Sequence, residues 1–175
     1  MVQSQSMPIA RPMTPRRLSS LDRIDVKILA TLQRHGRSTN DKLARTVGLS
    51  PRACLARVRK LEAVGIIVGY QAIIDIARVS RPINVFAEIT LERQASQNRF
   101  ERRLMAMEEV VECWEVSGAV DYLARVVCAD LGTYGALTSR LIDDSNLGVA
   151  RIVSHVALRP IRRFSGYPES LLVFG

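Results

Sequence analysis

The spacing of hydrophobic residues changes partway along this chain. Between residues 24 and 61 they recur every three or four positions: Ile24, Ile28, Leu29 and Leu32, then Leu43, Ala44 and Val47, then Cys54, Val58 and Leu61. From residue 83 they alternate, with Ile83, Val85, Ala87, Ile89 and Leu91 facing one way and Asn84, Phe86, Glu88, Thr90 and Glu92 the other. The first spacing predicts amphipathic helices, the second a half-buried strand. One chain therefore carries two differently built regions.

Local punctuation bounds the helices. Asp22 is placed to cap the first, with Leu21 and Val26 as a hydrophobic staple, and Gly36 ends it. Thr39 caps the second, whose end falls at Gly48, where a left-handed residue costs glycine little. Leu49 fills the corner, Ser50 caps a third helix, and Pro51 takes its first position, where a missing N–H is no loss. Helix, glycine turn and capped helix make a helix-turn-helix between Thr39 and Glu62. After Gly65, IIVGYQAIID has strand character and reads as a short wing and exit strand, with RVSRP (78–82) as a hinge.

The second region reads strand 83–92, helix 97–107, strand 110–116, turn 117–120, strand 121–129, helix 131–142 and strand 151–158. Phe100, Leu104 and Met107 mark the inner face of the first helix, and Tyr134, Leu137 and Leu141 that of the second. This βαββαβ order predicts a ferredoxin-like antiparallel sheet with both helices on one face. The other face carries Trp114 and the apolar residues of the last strand. A second copy of the chain is its economical cover, which predicts a homodimer. The fold class expected is α+β: an N-terminal three-helix winged helix-turn-helix and a C-terminal ferredoxin-like domain. The boundaries are 1–17 as a disordered basic arm, 18–65, 66–82 as wing and hinge, 83–158, and 159–175 as a C-terminal tail.

Charge sharpens the first region. Residues 1–65 hold 13 Lys and Arg against 4 Asp and Glu, residues 66–158 hold 9 against 12, and residues 159–175 hold 3 against 1. An excess concentrated on the helix-turn-helix points to a polyanion, double-stranded DNA. On a wheel of the third helix, Cys54, Val58 and Leu61 share one side. Arg52, Ala53, Ala56, Arg57 and Lys60 lie broadly opposite, with Leu55 and Arg59 at the edges. Small residues permit close approach, and cations suit phosphates and guanine edges. The expected DNA contacts are Arg52 and Ala53 on bases, Ser50 and Arg57 on base or backbone, and Lys60 on phosphate, with Thr39, Asn40 and Pro51 beside them.

The 175 residues, 47% hydrophobic, can bury one core or two small ones. No apolar run reaches the ~18 residues of a membrane span. The stretch 1–17 lacks the apolar core of a signal peptide, and Arg11, Arg16 and Arg17 make it a candidate arm along DNA; Met7 and Met13 stand as alternative starts. Cys54, Cys113 and Cys128 are odd in number, far apart and outside any CxxC pair. They read as small buried hydrophobes in a reducing cytoplasm, not as a disulfide or metal frame. No nucleophile triad or phosphate loop stands out, so no catalytic residue, metal or cofactor is expected.

LDRIDVKIL, the GR…N…LA..VGLSP.ACL.RV..LE run, the GII.GY exit and VSGAVDYL, in that order and spacing, resemble the leucine-responsive and asparagine-regulator (Lrp/AsnC) family from about Leu21 to Leu158. The resemblance implies a cytoplasmic, nucleoid-associated regulator of amino-acid metabolism, dimers that assemble to tetramers or octamers, and a C-terminal domain that senses an amino acid. It implies an effector site at the turn between the second and third strands: Gly118, Ala119, Val120, Asp121 and Tyr122, joined by Trp114, Ser154 and His155. Backbone N–H groups of the turn suit a carboxylate, and Asp121 suits an α-ammonium. Ala119 stands where many relatives carry an acidic or amide residue, and His155 where Tyr or another uncharged side chain is frequent; His155 would add a pH dependence. Two other readings compete. One is a haem-precursor decarboxylase of the same two-domain plan, which would draw on His155 and Arg125. The other is an architectural DNA-coating protein without an effector.

Overall fold

The structure, a computed structural model, describes residues 21–172. The basic arm expected over 1–17, and Val173 and Phe174 of the tail, lie outside the described residues. Two compact units form. One takes the chain up to Ala72 and again from Arg163; the other is Ile73–Arg162.

In the first unit, helices α1 (Arg23–Arg34), α2 (Asn40–Val47) and α3 (Pro51–Ala63) follow the expected plan. Asp22 caps α1 by accepting from the N–H groups of Ile24 and Asp25, and the Asp25 carboxylate accepts in return from Asp22 N–H, a reciprocal capping box. Thr39 caps α2 and Ser50 caps α3. Gly48 ends α2 at φ 77°, a left-handed position where a side chain would be strained. The core gathers Ile28, Leu29, Leu43, Ala44, Val47, Cys54 and Leu61, the stripes read from periodicity.

Two expectations for this unit change. The segment 66–75 forms no strand: Ile66 and Ile67 turn back on the core, and Val68, Ile73 and Ile74 are exposed. Strand character needs a partner to accept its hydrogen bonds, and no described strand runs beside it. A 3-10 turn, Ile76–Arg78, follows, and the units divide between Ala72 and Ile73, ahead of the expected hinge. The C-terminal segment, in turn, packs on α1. Gln33 accepts from Tyr167 N–H at 2.6 Å, Arg34 pairs with Glu169, and Leu172 lies against the core.

The second unit is β1 (Ile83–Leu91), α4 (Gln97–Met105), β2 (Val110–Glu115), β3 (Tyr122–Cys128), α5 (Leu131–Asp143) and β4 (Val149–Val156). The sheet order is β2-β3-β1-β4, and each of its three pairings is antiparallel, which is the ferredoxin-like topology. Val85, Ala87 and Ile89 of β1 and Tyr122, Ala124, Val126 and Cys128 of β3 meet Phe100, Leu104, Tyr134, Leu137 and Leu141 of the helices. β4 begins two residues earlier than the alternation suggests, because a bulge at Thr90/Leu91 brings Val149 opposite Leu91.

The register also defines the face away from the helices. Phe86 lies opposite Arg125 on one side and His155 on the other; Glu88 lies opposite Leu123 and Val153; Trp114 lies opposite Leu123. Trp114 is 48% exposed and Phe86 38% exposed. The uncovered apolar face expected from the strand pattern is present.

Candidate functional site

α3 presents the basic surface. Cys54 and Leu61 are buried and Val58 half-buried, so Arg52, Ala53, Ala56, Arg59 and Lys60 are left exposed. Among the described residues Arg52, Arg59 and Lys60 meet no carboxylate, so their charge faces solvent. Ala53 and Ala56 between them let a surface approach the helix backbone.

Several expected DNA contacts have other work. Thr39 and Ser50 are the helix caps, and Asn40 donates from its side chain to the carbonyl of Pro51 at 2.8 Å, tying the start of α2 to the start of α3. Arg57 departs furthest from expectation. One guanidinium nitrogen donates to Asp22 at 2.5 Å and to Asp25 at 2.8 Å, and Asp25 is the buried charged residue of the described chain. Arg57 is thus joined to the capping box of α1 instead of standing free on the outer face. The wheel contained the signal: Arg57 lies four residues, about 40°, from Leu61 and so borders the core stripe. The cap Asp22 and the first-turn Asp25 of α1 are its available partners.

This ion pair ties α3 to the start of α1. The N–H of Asp25, then Arg57, hold the Asp22 carboxyl below its ordinary range, and the same pairing holds the Arg57 guanidinium above its own. A carboxyl lowered on folding contributes its full stability above about pH 4 and loses it as pH falls through the lowered value. Arg57→Ala should therefore cost about 1 kcal/mol in denaturant melts near neutral pH, since solvent screens the half-exposed Asp22 side of the pair, and less in acid. Lys60→Ala should leave stability unchanged and weaken DNA binding. Undiminished stability in Arg57→Ala, with only DNA affinity reduced, would return Arg57 to the contact surface.

The turn between β2 and β3 is built around Gly118 at φ 130°. Val116 N–H donates to Asp121 carbonyl oxygen at 2.9 Å and Asp121 N–H to Ile89 at 3.0 Å, which close the turn. The N–H groups of Gly118, Ala119 and Val120 make no hydrogen bond to the described residues. Asp121 accepts from Leu91 N–H at 2.7 Å through one carboxylate oxygen, so it secures the bulge of β1 with half its acceptors.

The other expected effector residues do not converge within one chain. Tyr122 is buried against the helices, packs its ring at a 50° tilt on Phe100 with centroids 5.0 Å apart, and donates its hydroxyl to Glu101 at 2.9 Å. Burial and that carboxylate push its ionisation well up. Ser154 shares this side and meets the Tyr134 hydroxyl at 2.6 Å. His155, the next residue of β4, points to the opposite face, 3.3 Å from Glu88. Adjacent strand residues face opposite ways, so Ser154 and His155 cannot line one pocket of a single protomer. Trp114 shares the face of His155 but lies on β2, with β3 and β1 between it and β4. Arg125 lies on that face too, joined to Asn84 and Glu112, with Phe86 between it and His155.

Among the described residues no group of three His, Cys, Asp or Glu could hold a metal ion, and no helix is long and apolar enough to cross a membrane.

Comparison with known proteins follows the same two units. Residues 21–68 match the family of winged helix-turn-helix DNA-binding domains, and residues 84–166 match the Lrp/AsnC ligand-binding domain. The leucine-responsive regulatory protein of Haemophilus influenzae is 42% identical over 129 residues, 73% of this chain and 78% of that protein. The Bkd operon transcriptional regulator of Pseudomonas aeruginosa is 39% identical over 153 residues, 86% of this chain and 99% of that one. A transcriptional regulator of Neisseria meningitidis, solved as a complex with L-methionine, superposes with a TM-score of 0.80 at 30% identity, covering 88% of this chain and 100% of that one.

Proposed function

The chain belongs to the Lrp/AsnC family of transcriptional regulators, and from that membership we propose that it controls genes of amino-acid metabolism as a dimer-based, amino-acid-responsive DNA-binding protein. α3 reads DNA through Arg52 and Ala53, with Arg59 and Lys60 on phosphates. Arg57 orients that helix. The sheet domain holds the effector and joins two copies through the face bearing Trp114, Phe86, Leu123 and Val153, so that two recognition helices meet two half-sites. Larger assemblies of such dimers follow the family pattern, and a cytoplasmic location suits a DNA-bound regulator.

The observation that carries the effector reading is the turn 117–121. It offers N–H groups at Gly118, Ala119 and Val120 with no partner among the described residues, next to a carboxylate with one oxygen to spare. A free amino acid presents the matching pair, a carboxylate and an ammonium. The solved L-methionine complex of the Neisseria relative supports the ligand class. With Tyr122 and Ser154 turned inward, further contacts to the effector come from a neighbouring subunit.

A thermal-shift screen of the twenty amino acids tests this. One or more should raise the melting point, and Asp121→Asn should abolish the rise. Asn can still accept from Leu91 N–H, so the fold is kept, but it has no charge for an ammonium. An unchanged rise in Asp121→Asn would remove Asp121 from the site, and no rise with any amino acid would remove the effector class. The decarboxylase alternative has no comparable support: the regulators reported above match across both units, and Arg125 and His155 are each engaged by a carboxylate.

A further inference from the structure

α3 carries one apolar side chain that the helical core does not use. Leu55 is 38% exposed and stands outside the core cluster that its neighbour Cys54 and, further along, Leu61 join. An exposed leucine alone carries no message; its place on the helix does. Arg52, Leu55, Ala56 and Arg59 recur at i, i+3, i+4 and i+7, so they form one stripe along α3, and all four are exposed. Among the described residues neither arginine meets a carboxylate. Glu62, the acid within α3, accepts from the Tyr70 hydroxyl at 2.9 Å. The stripe therefore runs cation, leucine, alanine, cation. A surface that only held phosphates would gain nothing from the apolar step in its middle, because phosphates offer charge and hydrogen-bond acceptors.

We propose that Leu55 reads thymine: in the major groove its side chain packs on the C5-methyl of a T·A pair close to the base that Arg52 meets. The proposal rests on the DNA-binding reading of α3. The C5-methyl is the apolar group on the base edges of the major groove, where the other edges present hydrogen-bond donors and acceptors. Leucine satisfies none of those, so a guanine or cytosine edge set against it would lose water without gaining a partner. Ala56, beside it on the stripe, ends in a single methyl and leaves room for the bases to come close. Three residues of helix rise about 4.5 Å, little more than one base-pair step of about 3.4 Å. The thymine therefore belongs about one or two pairs from the base that Arg52 reads. Leu55 adds sequence preference, where Arg59 and Lys60 add affinity.

The test selects the preferred duplex of the full chain from a random pool. Each thymine of one half-site is then replaced in turn by deoxyuridine, which lacks only the methyl. At one position the replacement should weaken binding about three- to fivefold, what burial of one methyl contributes. Leu55→Ala should bind the thymine duplex more weakly by a like factor, and the same replacement should then cost it nothing. Circular dichroism should show its helices intact, since Leu55 lies outside the core. Leu55→Gln supplies a second readout. Glutamine pairs with adenine, so selection with that variant should change the base at this position from thymine to adenine. Indifference of the unaltered chain to deoxyuridine at every position would overturn the proposal. So would an equal cost of deoxyuridine in Leu55→Ala and the unaltered chain, since another side chain would then hold the methyl. A chain that binds no duplex, or binds without selecting any sequence, would instead strike the base-reading role of α3 on which the proposal rests.

Discussion

Affinity for DNA should collapse as salt rises, with a log–log slope of roughly −4 to −9 for a dimer making that order of phosphate contacts. Between 50 and 200 mM salt that slope amounts to a loss of about 10²–10⁵-fold. The expectation follows from a helix with three cations, Arg52, Arg59 and Lys60, that no described carboxylate neutralises. Arg52→Ala separates reading from holding. Arg52 stands exposed at the N-terminal end of α3; if it reads a base as proposed, its loss should cost about 1–3 kcal/mol on the preferred sequence and little on others. An even loss across all sequences would make Arg52 a phosphate contact, and a flat salt dependence would sink the DNA reading altogether.

The second large effect lies in the sheet unit. Phe100 is fully buried between α4 and the sheet and packs at a tilt against Tyr122. Phe100→Ala removes that ring and leaves a cavity, for an expected loss of about 3–5 kcal/mol, a large share of what a domain of this size possesses. The helical unit has its own separate core, from Ile28 to Leu61. Differential scanning calorimetry should therefore show one transition moved far down and another nearly in place. If the sheet unit joins the copies as proposed, DNA binding by the variant should weaken toward that of a single α3. A single transition that shifts as a whole would mean that the two cores melt together.

What could be read from the residues follows from how local each determinant is. Helix starts are set within four residues, by a cap, a proline or a left-handed glycine, and Asp22, Thr39, Ser50 and Gly48 act as expected. The alternation of β1 was equally plain, since burial of Val85, Ala87 and Ile89 needs only one covered face. Strand character over 66–75 failed because β structure is completed by a neighbour that composition does not name. Charge and a broadly outward wheel position point Arg57 to DNA, whereas its place bordering the core stripe and the acids at 22 and 25 turn it inward. The effector set drew on kinship more than geometry. Strand parity alone separates Ser154 from His155, and the core parity of β3 turns Tyr122 inward. The role of Asp121 at the bulge depends on the register between β1 and β3, which no short stretch of sequence encodes.

The return of the C-terminal segment to α1 makes the sheet unit an insertion within the helical one, crossed by the backbone twice, at Ala72–Ile73 and at Arg162–Arg163. Excising the DNA-reading part by cutting after residue 72 would thus yield a fragment missing Leu172 from its core and Glu169 from Arg34. Cleavage between Ala72 and Ile73 would leave the three helices held to the rest of the chain only by the packing of the C-terminal segment on α1. A fluorescent label on the segment around Tyr167 and Glu169 would therefore report on α1 and not on the sheet.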